Sequence, residues 1–211
     1  MSFDWVAGTA LVVGIGSLYL TYQSTKSAKK SIDTSIHLYE KQKKDDERKK
    51  EKENVDKLNA IKVMLREEIK DNYFLFVNVY KVMCSVAKNP TLMVMTEKFN
   101  DDCLVELPDG TNAIFKSHQY DNINRYLFDV LILDKEISKV MIELKVSSML
   151  YKAVSDPFVS LLRSKDFNNA NKLIGMHLNS ITKYKLEMES LYEKCSDKDT
   201  ISISDYLSRL P

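Results

Sequence analysis

The residues able to do chemistry are few: His37, His118 and His177, with Cys84, Cys103 and Cys195. The one constellation with catalytic types close together is Asp101, Asp102, Cys103 and His118, where an imidazole would activate a thiol as nucleophile. A plainer reading stands beside it, a packed thiol and an ordinary surface histidine, because free cysteine commonly behaves as a small buried hydrophobe. The three histidines fall in three different elements, and neither HExxH nor a paired CxxC is present, so no metal and no cofactor is expected. Phosphate-cradling loops need glycines, and beyond the first apolar stretch only Gly110 and Gly175 remain. A helical ribonuclease pattern fails too, since no histidine follows Arg125 or Arg163 at four to six residues. The chain therefore reads as a non-enzyme with no small-molecule substrate identified, an enzyme using the Cys103/His118 region being the alternative.

Two other polar positions stand out. Glu68 and Asn72 share the apolar stripe of Leu65 and Leu75, which predicts a buried polar pair that needs partners, unless a rotation of the helix exposes both. His177 sits on a stripe with Ile174, Ile181, Tyr184 and Met188, which reads as a core histidine.

The elements that would position these groups begin with a hydrophobic run. Trp5 to Tyr22 lies in a window without charge between Asp4 and Lys26. About 20 such residues, at 1.5 Å of rise each, cross the hydrocarbon core of a bilayer with their backbone satisfied. Gly8, Gly14 and Gly16 suit lipid better than a water-soluble helix, and Trp5, Tyr19 and Tyr22 place aromatic rings at both interfaces. The opening Met1–Asp4 carries no basic side chain, unlike a removable signal, so a retained anchor over residues 1–25 is expected. Lys26, Lys29 and Lys30 follow directly, which by the positive-inside rule puts residues 26–211 in the cytoplasm and the lysines at lipid headgroups. Unpaired, widely spaced cysteines agree with a reducing compartment.

Residues 26–54 form a charged neck of helix formers without Gly or Pro, supported by pairs among Lys43, Glu47, Lys50 and Glu51. One stripe links run and neck: Ala7, Ala10, Gly14, Ser17, Thr21, Ser24, Ala28, Ser31 and Ser35, spaced alternately three and four. Small residues at that spacing let two helix backbones approach, which predicts a homo-oligomer.

Residues 55–211 suffice for one ordinary domain. Leu58, Ile61, Leu65, Leu75, Val79 and Val82 in one stripe, with Ile69, Tyr73, Phe76, Tyr80 and Met83 in a second beside it, predict a core helix over 55–88, stopped by Asn89-Pro90. Cys103–Leu107, Pro108-Asp109-Gly110 and Ala113–Phe115 suggest a small β-hairpin. A second helix is expected over 121–154, a helix start at Ser155-Asp156-Pro157, a third long helix over 167–195, and a short amphipathic helix at the end that docks on the bundle. The net charge is +1, and Lys dominates the bases, with Arg only at 48, 66, 125, 163 and 209. Nucleic-acid binding is disfavoured.

The sequence LREEIKDNYFLF, and later AIFKSHQYDNINRYLFDVL, after an N-terminal span and a Ser/Ala/Lys neck, resembles uncharacterised single-span bacterial membrane proteins with helical cytoplasmic domains. Glu68-Ile69 with Asn72, and Phe115 followed by Tyr120-Asp121, carry the resemblance. It implies a bacterial inner membrane, single-pass, and a role in defence against phage.

The expectation is thus a mainly α protein with one transmembrane helix, a helical neck and a cytoplasmic helical bundle. It would oligomerise and bind a protein partner, as a membrane effector or sensor. A simple membrane tether for a soluble partner is the other alternative.

Overall fold

The computed structural model describes residues 5–88, 95–99, 102–106, 112–116, 118–196 and 201–208. In chain order these form α1 (Trp5–Lys88), β1 (Met95–Phe99), β2 (Asp102–Glu106), β3 (Asn112–Phe115), α2 (Asp121–Leu133), α3 (Lys135–Arg163), α4 (Phe167–Lys194) and α5 (Ile203–Ser208). The fold is mainly α, a helical bundle. Two compact units divide it, Met1–Val55 and Asp56–Pro211.

In the first unit the apolar side chains have no protein cover. Trp5, Leu11, Val12, Val13, Ile15, Leu18, Leu20 and Tyr22 are all 61–77% exposed. The polar groups among them are closed on the helix itself: Thr9 Oγ1 donates to the Trp5 and Val6 carbonyls at 3.0 Å, Ser17 Oγ to Gly14 O at 2.9 Å, and Thr21 Oγ1 to Ser17 O at 2.8 Å. Among the described residues, no helix is long and apolar enough to cross a membrane. In the neck, no ion pair joins Lys43, Glu47, Lys50 and Glu51. The expected pairs do not form because exposed, long side chains gain little from pairing that water does not already supply.

The second unit is built on α1 from Ile61 onward. Ile61, Leu65, Ile69, Tyr73, Phe76, Val79, Val82, Met83 and Val86 recur at helical spacing and are at most 3% exposed. They join one core with Val140, Met141, Leu144 and Tyr151 of α3 and Ile181, Tyr184, Met188 and Leu191 of α4. Each such side chain contributes about 1.5–3 kcal/mol by leaving water. Phe76 sits 5.5 Å from the Tyr151 ring and 5.6 Å from Tyr184, between centroids, so helices distant in sequence meet through aromatic edges.

The strands pair antiparallel in the order β1-β2-β3. Val105 lies opposite Ala113, both are buried, and Phe115 packs 6.2 Å from Phe158, so one face of the sheet leans on α3. The turn expected at 108–110, like the Asn89-Pro90 stop and Asp101, lies outside the described residues.

Two helix boundaries correct the sequence reading. The helix expected over 121–154 is broken at Asp134, whose backbone is extended (φ −151, ψ 100) and whose Oδ1 accepts from the Glu136 and Ile137 amides at 3.1 Å. Aspartate caps an N-terminus so well that it opens α3 inside a continuous apolar pattern. The start expected at Ser155-Asp156-Pro157 does not exist. α3 runs through Pro157 to Arg163, because Val154, Phe158 and Leu162, at most 1% exposed, bury one continuous face and outweigh the bond that proline removes. After α3, Lys165 adopts φ 58, and Asp166 caps α4 by accepting from Asn169 N at 3.2 Å. His177 is exposed, not a core histidine: the buried face of α4 passes from Ile174 to Ile181 without it. At the end of the chain, Ile203 of α5 is buried in the core.

Candidate functional site: an aromatic floor beneath a cationic cleft

The segment between β3 and α2 is held by two polar side chains of α1. Asn72, 1% exposed, donates through Nδ2 to the Gln119 carbonyl and accepts through Oδ1 from the Gln119 amide at 2.9 Å. One turn earlier, Glu68 accepts from the Asn122 amide at 2.6 Å and the Ile123 amide at 3.1 Å. Those amides open α2, whose N-cap residue Tyr120 supplies no side-chain bond of its own. A carboxylate from another helix thus satisfies donors that would otherwise lack partners, where the helix dipole favours negative charge. Burial raises the Glu68 pKa above the usual carboxylate value, and the two amide bonds oppose it.

This attachment places His118 and Tyr120 against the bundle. The His118 ring meets Tyr151 edge-on at 5.3 Å and Tyr184 edge-on at 5.6 Å, and lies nearly parallel to Tyr120. Tyr151 stacks on Tyr184 at 4.6 Å, and the Tyr120 and Tyr184 hydroxyls hydrogen-bond each other. Tyr73 donates to Glu189 Oε1 at 2.6 Å, tying α1 to α4 close by. Burial pushes the Tyr120 phenol up to about 12 and the Tyr151 and Tyr184 phenols higher still. His118 goes the other way: burial lowers it to about 4, against a hydrogen bond to the Asn72 main chain that favours the charged ring. At neutral pH the cluster carries no charge. Two of its polar atoms, the Tyr151 hydroxyl and His118 Nε2, are buried without a hydrogen-bond partner.

Above this floor opens a cleft of about 560 Å³. One wall is a single face of α3: Lys145, Met149, Lys152, Asp156, Val159 and Arg163, alternately four and three residues apart. Lys116, His118 and Tyr120 supply the other side, with Phe115 and Asn124. Lys116, Lys145, Lys152 and Arg163 form no ion pair among the described residues, and Asp156 is the cleft's one carboxylate. A second cleft of about 650 Å³ shares Lys116 but is lined by Glu67, Glu68, Asp71 and Asp121.

His118 is therefore no ordinary surface histidine. A ring held neutral by burial is a poor partner for a thiolate, and the Cys103 side chain lies outside the described residues, its backbone pairing with Phe115. Cys195 is buried with its thiol raised to about 12, which leaves it inert. Among the described residues, no group of His, Cys, Asp and Glu could hold a metal ion.

The remaining candidates lie in the first unit. Gly14, Ser17, Thr21, Ser24 and Ala28 are exposed, as are Ala10, Gly16, Tyr19 and Lys26, Lys29 and Lys30; Gly8 is half-buried, and the Ala7 side chain lies outside what is described. The sequence reading did not find the cationic face of α3. Its signal is Lys145, Lys152 and Arg163, seven and eleven residues apart and so on one helical face, a pattern hidden once Pro157 is taken as a boundary. Comparison with protein families, curated proteins and solved structures finds no match for the chain.

Proposed function

We propose that the protein is a membrane-anchored interaction protein, which self-associates through its N-terminal helix and binds a protein partner through its helical bundle. The observation that carries this reading is the bare apolar sheath from Trp5 to Tyr22, exposed all round the helix. A helix apolar on every side needs lipid or another chain around it. The mean apolarity of the stretch is diluted by Thr9, Ser17 and Thr21, but their hydroxyls are returned to the helix's own carbonyls, which is how such residues are tolerated in lipid. Lys26, Lys29 and Lys30 favour a cytoplasmic bundle and contact with anionic headgroups. On the bundle, Phe128 and Ile132 of α2 are 76% and 83% exposed with Leu131 beside them, an apolar patch suited to a protein partner.

The test is alkaline carbonate extraction of bacterial membranes carrying the full chain. The expected result is retention of the protein in the pellet, and release of a Val13→Arg, Ile15→Arg variant. Release of the unaltered chain would remove the anchor from the proposal.

A further inference from the structure

The cleft on α3 is overbuilt for a surface groove. Four cations and one carboxylate, Asp156, line it, and among the described residues Lys116, Lys145, Lys152 and Arg163 form no ion pair. Like charges in one concavity repel, and the cost is recovered when an anion arrives. Exposed lysines alone would not make a site. Here they stand over Tyr151, 2% exposed, whose hydroxyl has no hydrogen-bond partner, and over His118, whose Nε2 has none. A buried polar group without a partner costs about 1–3 kcal/mol, so a pair of them beneath one cleft points to something that supplies the missing bonds. The volume of about 560 Å³ suits a whole small molecule. Apolar surface is present as well, from Phe115, Met149 and Val159.

We propose that this cleft binds a small soluble organic phosphate, its phosphoryl oxygens taken by Lys116, Lys145, Lys152 and Arg163 and its apolar body laid against Phe115, Met149 and Val159. Arg163 offers a fork matched to two phosphoryl oxygens, and the lysines act as point charges. Ser148, Ser155 and Asn124 add neutral hydrogen-bonding groups. The inference rests on the bundle alone and stands whether or not the first unit enters a bilayer.

Detergent-solubilised full-length protein is titrated calorimetrically with ATP, adenosine, inorganic phosphate, anionic phosphatidylglycerol vesicles and a short single-stranded oligonucleotide. ATP is expected to bind more tightly than inorganic phosphate, and adenosine not measurably. Lys152→Ala and Arg163→Ala should each weaken ATP about tenfold, the loss of one charge-assisted contact, with an unfolding temperature in the absence of ligand no lower than that of the unaltered chain. Lys172→Ala, on α4 and away from the cleft, should bind as the unaltered chain does. Tyr151→Phe removes the orphaned hydroxyl and is expected to raise the unliganded unfolding temperature while shrinking the shift that ATP causes. Four results would overturn the proposal: no phosphate probe binds; ATP binds equally to the Lys152 and Arg163 variants; only the vesicles bind, which assigns the cations to lipid; or the oligonucleotide binds more tightly than ATP.

Discussion

Asn72 holds both main-chain groups of Gln119, donating to its carbonyl and accepting from its amide, across 47 residues of sequence. A side-chain amide carries a donor and an acceptor side by side, so it can do both from one position. It replaces, for a single residue, the pairing that a neighbouring strand would provide, and it fixes where the chain enters the aromatic cluster.

Asn72→Leu should therefore be costly despite matching the stripe. Two part-buried hydrogen bonds to the Gln119 main chain would be lost, and the expected loss is about 2–4 kcal/mol of unfolding free energy. Chemical denaturation of the variant against the unaltered chain measures it. An unchanged midpoint and slope would show that water or a shifted backbone takes over both bonds.

Acid should destabilise the bundle through His118. Above pH 6.5 the ring is neutral in the folded and the unfolded chain, so its contribution is complete. Between pH 6.5 and about 4 the unfolded chain takes up a proton that the folded one refuses, and stability falls by about 3 kcal/mol over that window. Glu68 acts in the opposite direction, because its raised value lets the folded state bind a proton first. His118→Phe keeps an aromatic ring and removes the titration. Denaturant midpoints followed from pH 7 to 4 should fall less steeply for this variant than for the natural residue.

Pro157 interrupts the bond that its position would make to Ala153 inside α3. It is exposed, so an alanine there fills no packed space. Pro157→Ala should stabilise the protein by about 1–3 kcal/mol, read as a higher unfolding temperature. A fall would mean that the proline bends α3 in a way the core requires.

Single cysteines placed along residues 7–35 test self-association. If the small-residue face joins two copies, crosslinking should peak at Ala10, Gly14, Ser17, Thr21, Ser24 and Ala28 and drop between them. Crosslinking without that periodicity would rule out the face.

What the sequence made legible, and what it concealed, follows from the range of the interactions. Helical spacing identified the buried face of α1, since Leu65, Ile69, Tyr73 and Phe76 repeat locally and burial depends on little else. The partners of Glu68 and Asn72 were beyond reach, because they are main-chain groups of residues 119–123, and no side-chain pattern marks a main-chain donor. Proline misled for an energetic reason. Its local cost is visible in the sequence, and the gain from burying Val154, Phe158 and Leu162 on one continuous face is not. The burial of His118 leaves no mark in the sequence because Tyr151 and Tyr184 impose it, each more than 30 residues away.

Trp5 is the sole tryptophan, fully uncovered in the first unit, while the packed tyrosines, Tyr73, Tyr151, Tyr184 and Tyr192, all belong to the second. Tryptophan is thus an optical reporter confined to the first unit, whereas tyrosines occur in both. Long-wavelength excitation, which passes over tyrosine, reads the surroundings of the apolar helix without any label and without a contribution from the bundle.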